Sequence, residues 1–496
     1  MSRQKRKQRI RTNTRIISIL ALIMLVLFIM FLKRLNVLPN RYFYLIVCIL
    51  GLLEFFFLVF SFHKRTKVGL LVILDILFLL IVAVEGYGIH KLNQTYHFIN
   101  FGIKVEETVD YYYILANEES DYTKLSDIEN KVLYYYNEEE DIDKLKQSVT
   151  KKVHVIMNQV NNFSELLDMI DTDKEKVVLI NEATYETISN SENENTEKKN
   201  KYKIIDKIEL VKKIETGKTR EDITSKPFIV YLSGIDTRSG KMPSKSLSDV
   251  NMFIVVNPTT RKILMVGVPR DYYVELHGKN GAKDKLTHAG MTGGVKLSQE
   301  TMEDLLGVEA DFYVRVNFNA VINLVDAVYP EGMTIYNDQK YSFTCWTDKS
   351  CRFKPGNNTV TGKCALAFAR ERYAYETGDR HRGENQQQVI QLLVNKLSST
   401  KSLLINYDRI MNALEGSFDT NLSTNNITSF IQFQIDDMRG WSFETQNLDG
   451  TNSMGKTYSF PKQDLFVMIP NEKTVEAAKE KINAVIKGEE SVKTTP

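Results

Sequence analysis

The sequence predicts an α/β protein in which two strand–helix units follow three N-terminal membrane helices. Three observations predict it. Apolar runs at Ile16 to Leu32, about Tyr42 to Phe62, and Val68 to Val84 are each long enough to cross a hydrocarbon core of ~30 Å at ~1.5 Å per residue. Short β-branched runs then alternate with amphipathic stretches from Tyr111 to Ile188. The alternation resumes at Phe228 with longer, more apolar strands.

The first run is preceded by Arg3, Lys5, Arg6, Lys7, Arg9, Arg11 and Arg15, with no acid among them. A basic flank of this kind stays in the cytoplasm, so three crossings place everything after Gly88 outside. Lys33, Arg34 and Arg41 make the first loop basic as well, which pulls against that orientation. A cleaved signal peptide fits poorly, because the run is long, no small-residue cleavage site follows, and two more spans come after it. Glu54 and Asp75 lie inside the second and third spans. Charges there are costly and often functional, and pairing with a neighbouring helix or a partner protein, or a place near a water defect, is the expected reason for them. Across 496 residues, 64 Lys and Arg nearly balance 62 Asp and Glu, so overall charge gives no reason to expect a nucleic-acid partner.

The first α/β unit has strands at Tyr111–Ala116, Lys131–Tyr136, Val153–Met157 and Val177–Ile180. Helices at Asp141–Ser148, Phe163–Ile170 and Ala183–Ile188 lie between or after them. The run Ser191 to Lys201 reads as a solvated linker. With no clustered chemistry, this unit is expected to be an accessory domain. The expected divisions are an anchor over 1–90, the accessory domain over 91–225, the second α/β domain over 226–487 and a tail over 488–496.

The second unit carries the chemistry. FIVYLSGI, MFIVVNP and KILMVGVP are strands, as is Phe312–Val316; Asn319–Val328, Thr361–Arg370 and Glu384–Leu397 are helices. Asp236 and Arg238 follow the first strand, Asp249 precedes the second, and Arg270 and Asp271 follow the third. Strand ends are where α/β sheets gather ligands. Asp236 and Asp249 offer the hard oxygen donors that Mg²⁺ prefers, although each could equally cap a turn or pair with an arginine. In ALAFARERYAYETGDRHRGENQQQVI, Arg370, Arg372, Arg380 and Arg382 fall close together. Arg370 and Arg372 share a side if that segment is extended. Arg382 and Gln386 share a face at the helix start, where free N–H groups favour anions. Arginine forks match phosphate oxygens, so with Arg270 this set reads as a diphosphate clamp. His288 could act as a base, but a lone histidine is more often structural. No Ser–His–Asp set stands out, which favours charge stabilisation in phosphoryl or glycosyl transfer over nucleophilic catalysis.

Four cysteines occur and none forms a metal-type CxxC pair. Cys48 lies in a span. Cys345 and Cys351 share a short polar segment and are the expected disulfide outside the cell. Cys364 sits alone in an apolar helical pattern.

The ordered segments GIDTR, SDVNM, VGVPRDYYV, KLTHAG and FARERYAYETGDRHRGENQQQVI resemble the LytR–CpsA–Psr family, over about Phe228 to Leu397. The three spans and the accessory domain look like the CpsA-type (Wzg-like) members found with streptococcal capsule synthesis. The resemblance implies an extracellular α/β/α domain with a mixed central sheet, in a multi-pass protein of a Gram-positive cell membrane. It implies a polyprenyl (undecaprenyl) pyrophosphate whose lipid lies in an apolar tunnel and whose pyrophosphate sits at the mouth. It also implies transfer of a capsular polysaccharide or similar glycan from that carrier to peptidoglycan, with other capsule-assembly membrane proteins as further partners.

Carried over by motif, Asp236 and Asp249 hold Mg²⁺ (or Mn²⁺). Arg270, Arg370, Arg372, Arg382 and Gln386 hold the pyrophosphate, and Arg238 and Asp379 orient them or share their charge network. Asp236, Asp249, Arg270 and Arg372 are the expected catalytic group. KLTHAG departs from the commoner pattern, which has Asn where Thr287 stands, and this puts a contact from that loop in doubt. Asp236, Asp249 or Asp271 could serve as base. Attack at phosphorus or at the sugar carbon both remain open. Two rival readings remain: a phosphatase acting on the lipid pyrophosphate through the same clamp, and a membrane regulator or assembly factor of capsule synthesis, supported by the accessory domain and the charged spans.

Overall fold

The computed structural model describes residues 3–97, 107–136, 142–160, 162–191, 201–213, 217, 219–236, 242–398, 409–410, 412–413 and 418–489. The chain divides into two compact units, residues 1–102 with 424–439, and residues 103–423 with 440–496.

In the first unit, α1 (Arg3–Leu35), α2 (Asn40–Phe62) and α3 (Val68–His97) are long and apolar enough to cross a membrane. Their seam is narrow: Ala21, Phe57 and Phe78 pack together, with the last two rings stacked, while most other apolar side chains face outward. Outward apolar faces are what a lipid surround requires. Thr14 Oγ1 donates to Asp75 Oδ2 at 2.9 Å, so this membrane carboxylate pairs with a neighbouring helix. Glu54 is buried within the bundle. A distant helix, Thr424–Asp437, joins this unit. Its Asp436 Oδ1 is 2.8 Å from Arg41 Nε, and its Gln432 bonds Asn36. That helix therefore packs at the α1–α2 loop end of the bundle, the end away from the basic N-terminus.

Among its described residues the second unit holds four two-stranded sheets and two main ones. The smaller has five strands in the order β3-β2-β4-β1-β5: β1 (Glu107–Asn117), β2 (Val132–Tyr136), β3 (Ile156–Val160), β4 (Val177–Asn181) and β5 (Tyr202–Lys213). Helices α4 (Ile142–Lys152), α5 (Phe163–Thr172) and α6 (Glu182–Ser191) pack on it. Most of the linker read at Ser191 to Lys201 lies outside the described residues, and β5 begins just beyond it.

The larger sheet has six strands: β6 (Phe228–Ile235), β7 (Ser248–Asn257), β8 (Lys262–Val268), the parallel neighbour Phe312–Asn317, and edge strands Phe418–Thr420 and Ser442–Asn447. β6, β7 and β8 are antiparallel, while Phe312–Asn317 runs parallel to β6 and Ser442–Asn447 parallel to β8, so the sheet is mixed. Two short strands, β9 (Tyr273–Glu275) and β10 (Lys283–Lys285), lead into α7 (Leu286–Leu306). Continuing in chain order, Phe312–Asn317 is β11, followed by α8 (Phe318–Val328), β12 (Met333–Asn337), β13 (Phe343–Thr344), β14 (Arg352–Phe353) and β15 (Gly356–Val360). Then come α9 (Gly362–Arg370), α10 (Asp379–Leu397) and β16 (Phe418–Thr420). Thr424–Asp437 is α11, and α12 is Glu472–Lys487.

Helices cover both faces of the larger sheet. Tyr231, Phe253, Val255, Leu264 and Val266 meet Met302 of α7 and Val475, Ile482 and Val485 of α12. Each such buried aliphatic side chain contributes about 1.5–3 kcal/mol. Helices α8, α9 and α10 lie over the opposite face, and their own core includes Val325, Phe368, Val389 and Leu393. The layering is α/β/α.

The expected Cys345–Cys351 bridge does not form. Cys345 and Cys351 face each other along the β13–β14 hairpin, where Cys345 N donates to Cys351 O at 2.9 Å. The Cys351 side chain turns instead to α9 and bonds Cys364, with the Cα atoms 5.3 Å apart. Cys345 remains a buried thiol. Burial, with Glu371 and Asp348 nearby, pushes its pKa up to about 12.

Candidate functional site

A cavity of about 260 Å³ opens between the larger sheet and helices α8–α10. Leu232 and Val316 come from the sheet, Phe318 and Val321 from α8, Leu366 from α9, and Val389 and Ile390 from α10. Its body is apolar because each element turns its alternating or 3.6-period face inward. Its charged rim is formed by Asp249, Arg270, Arg370, Arg372, Arg382 and Gln386.

Local backbone geometry explains how these groups converge. β6 and β7 pair Gly234 with Val250 and Ile235 with Ser248, which leaves Asp249 as the extra residue of a bulge. A bulge re-aims a side chain at a sheet edge. Gly234 is needed here, since a Cβ would stand 2.7 Å from Val250 Cγ2. Asp236 follows the adjoining end of β6, so the register places the two aspartates on neighbouring strand ends. Arg270 follows β8, Arg370 ends α9, and Arg382 and Gln386 lie in the first two turns of α10. Arg370 is thus helical rather than extended, yet it and Arg372 still reach the same rim.

Acids answer most of these arginines. Arg270 Nη1 donates to Asp249 Oδ1 at 2.8 Å, and Arg370 Nη2 to Asp236 Oδ2 at 3.0 Å. Arg382 Nη2 is 2.8 Å from Asp379 Oδ1, and Lys285 Nζ is 3.1 Å from Asp271 Oδ1. Arg372 has no acid within salt-bridge distance among the described residues; it donates to Tyr373 Oη at 3.0 Å. Arg380 Nη1 donates to Asp449 Oδ2 at 3.2 Å and does not line this cavity. A smaller adjoining cavity of about 20 Å³ brings Asp379 and Arg380 together with Asp249, Arg382 and Gln386. Arg238 lies outside the described residues.

Several buried polar atoms here make no hydrogen bond: Arg270 Nε, Arg382 Nε and both Asp379 oxygens. Arg270 Nε lies 3.5 Å from Asp271 Oδ2, and the Arg382–Asp379 contact is close but poorly aligned. Buried donors in this state cost about 1–3 kcal/mol each, which a ligand's oxygens would recover. Burial raises the Asp379 carboxyl above the usual carboxylate range, against the pull of Arg382. Burial also works against ionised Asp271, but Arg270 and Lys285 outweigh it and hold Asp271 below that range. The charge of Asp249 makes Arg270 hold its proton more tightly, and burial weakens the hold of Arg382.

Asp249 lines the cavity and Asp236 follows the neighbouring strand, each paired with an arginine; Mg²⁺ needs only one or two carboxylates from a protein when phosphate oxygens and water complete its shell. No group of three or more His, Cys, Asp or Glu gathers among the described residues. His288 is buried away from the cavity, with Nδ1 2.6 Å from Asp284 Oδ1, and holds α7 to β10. Thr287 is buried and its hydroxyl is unpartnered.

Sequence reasoning missed Lys285, Glu371, Trp346 and Tyr373. Trp346 is one of only two tryptophans, and that rarity was the available signal; Glu371, 1% exposed, had none.

The chain matches the LytR_cpsA_psr family over residues 179–475. It is 36% identical over 199 residues to the polyisoprenyl-teichoic acid–peptidoglycan teichoic acid transferase TagU of Bacillus cereus, covering 40% of this chain and 62% of that protein. For TagU of Bacillus subtilis the values are 33% over 201 residues, 40% and 62%. The chain thus spans less than two thirds of the length of these curated relatives. Among solved structures, protein gbs0355 from Streptococcus agalactiae is 26% identical, with a TM-score of 0.46 over 56% of this chain and 94% of that one.

Proposed function

The chain belongs to the LytR–CpsA–Psr family, and from that premise we propose that it transfers a glycopolymer from a polyprenyl pyrophosphate carrier to peptidoglycan. The observation that carries this reading is the pair of buried guanidinium donors that make no hydrogen bond, Arg270 Nε and Arg382 Nε, at the charged mouth of an apolar cavity. An apolar tail with a diphosphate head matches both halves of that arrangement.

Arg270, Arg370, Arg372, Arg382 and Gln386 bind the two phosphates, and Arg372, which forms no salt bridge among the described residues, keeps its charge available to the ligand. Asp379 and Arg238 support this set. Asp236 and Asp249 would hold a Mg²⁺ or Mn²⁺ ion, which when bound supplies further positive charge to the phosphate oxygens. A hydroxyl of a peptidoglycan sugar forms the new bond to the activated end of the glycan. The bond to the departing phosphate breaks, and the hydroxyl proton passes to a carboxylate. The arginines stabilise the negative charge gathering on the leaving group. A capsular polysaccharide is the polymer we propose, with the three-helix anchor holding the site outside the membrane.

The test separates wall-bound from released polymer in cells carrying Arg372→Ala at normal protein level. Transfer predicts that polymer is still made but is shed or stays on lipid. A regulator predicts altered total polymer with a constant bound fraction. A lipid pyrophosphatase predicts wall attachment that does not depend on this protein.

A further inference from the structure

Two aromatic rings stand at the mouth of the cavity, outside the diphosphate clamp. Trp346 and Tyr373 line the cavity beside Arg372, and they remain 60% and 59% exposed. Their ring centroids are 5.0 Å apart at 54°. Single exposed aromatics need no explanation. This pair differs, because the fold holds both ring-bearing segments rigidly.

One buried carboxyl group does most of the holding. Glu371 Oε2 accepts the backbone N–H of Trp346 at 2.6 Å. Glu371 Oε1 accepts the N–H groups of Arg372, Tyr373 and Ala374 at 3.0, 2.8 and 3.1 Å. A carboxyl group buried this deeply costs on the order of several kcal/mol unless its oxygens are satisfied, and here backbone donors satisfy both. The β13–β14 hairpin that carries Trp346 is also fixed to α9, by the Cys351–Cys364 disulfide and by Lys363 Nζ, 2.7 Å from Asp348. Lys349 Nζ lies 4.5 Å from the Trp346 ring centre. Preorganised exposed rings spend little ordering entropy on binding.

What meets these rings follows from what occupies the clamp, and the inference rests on the function proposed above. The group joined to the outer phosphate must pass the rim beside Arg372. In a lipid-linked glycan that group is a pyranose. A pyranose presents a face of axial C–H bonds, which complements the electron-rich face of an indole or phenol ring. Its equatorial hydroxyls project sideways, toward polar neighbours such as Thr347. We propose that Trp346 and Tyr373 form a subsite that stacks on the first sugar of the lipid-linked glycan, with Glu371 as the residue that positions both rings.

The experiment compares two ligands on the full chain in detergent: polyprenyl pyrophosphate and polyprenyl-pyrophosphoryl glucose. Trp346→Ala is expected to weaken the glucose-bearing lipid about fivefold to tenfold and to leave the sugar-free lipid unchanged, with Trp346→Phe largely restoring the difference. Binding of the sugar-free lipid also reports that the variant is folded. Glu371→Ala is expected to erase the preference for the sugar-bearing lipid, and Glu371→Gln to retain part of it; a merely structural role would lower the melting point and leave that ratio intact. Equal weakening of both lipids by Trp346→Ala would overturn the proposal in favour of a membrane or lipid contact. No change in either lipid would overturn it as well. Failure of the unaltered chain to bind the sugar-free lipid is a different result, and it would overturn the diphosphate reading itself.

Discussion

Asp110, on β1 of the accessory sheet, accepts both the backbone N–H and the hydroxyl of Ser244, at 2.7 and 2.5 Å. Ser244 lies five residues before Asp249, in the segment that leads into the bulge. Its carbonyl oxygen accepts from Arg315 Nη1 at 3.1 Å, and Arg315 in turn pairs with Asp419. Lys212 of β5 completes the buried chain, 2.9 Å from Asp110. The accessory sheet therefore fixes the strand entry that presents Asp249.

Removing one partner from such a buried set leaves uncompensated charge. Asp110→Ala is expected to lower stability by about 3 kcal/mol or more. Asp110→Asn should cost less, because its carbonyl oxygen can still accept from Ser244. Denaturant unfolding of the full chain measures both variants. Equal stability of all three proteins would mean that this chain contributes nothing.

The cysteine pairing gives a second prediction. Mass spectrometry without reduction should recover a peptide linking Cys351 to Cys364, and none linking Cys345 to Cys351. Cys345, buried with its pKa pushed up to about 12, should resist thiol reagents at pH 8 until the protein is unfolded. Rapid labelling of Cys345 in the folded protein would contradict its placement.

Asp284 sets part of the acid sensitivity. Burial opposes its ionisation, but His288 beside it and the Ser459 N–H hold it below the usual carboxylate range. A lowered folded pKa means that the stabilisation is complete above the unfolded value of about 3.9 and is lost as pH falls through the folded value. Asp284→Asn should be less stable at neutral pH and should lose less of its remaining stability on acidification. Asp379, whose pKa is raised, contributes with the opposite sign: its protonation favours the fold as pH falls through its folded pKa. Denaturation midpoints measured from pH 7 down to pH 3 test Asp284, and an unaltered acid slope in Asp284→Asn would refute its contribution.

The metal assignment has its own test. Asp236→Ala and Asp249→Ala should each weaken Mg²⁺-dependent transfer, and a chelator should lower the activity of the unaltered chain. Full activity in the presence of chelator would remove the metal from the account.

The strands of the larger sheet were legible because FIVYLSGI, MFIVVNP and KILMVGVP are buried on both faces and bounded by turn residues. β5 escaped notice because Lys203, Asp206, Lys207 and Glu209 break up its apolar pattern, and it pairs only at a sheet edge. Asp249, Arg270, Arg370, Arg372, Arg382 and Gln386, picked out by spacing and motif, line one cavity. The choice of Cys364 over Cys345 was not legible, since side-chain direction on a two-residue hairpin is set by packing against α9. Glu371 was hidden for a related reason: its partners are backbone N–H groups, which leave no trace in residue identity. That α11 joins the membrane helices was also illegible, because the contact with Arg41 and Asn36 links positions nearly four hundred residues apart.

The most direct measurement follows label on a glycan attached to polyprenyl pyrophosphate, incubated with the purified full chain and insoluble peptidoglycan. The account predicts that label moves into the insoluble wall. It also predicts that Arg372→Ala, which removes a donor aimed at developing negative charge, slows this by about a hundredfold while the protein stays folded. Arg372→Lys should recover only part of the rate, because it keeps the charge and loses the fork. Label released into solution by the unaltered chain, or equal transfer by Arg372→Ala, would contradict the transferase assignment.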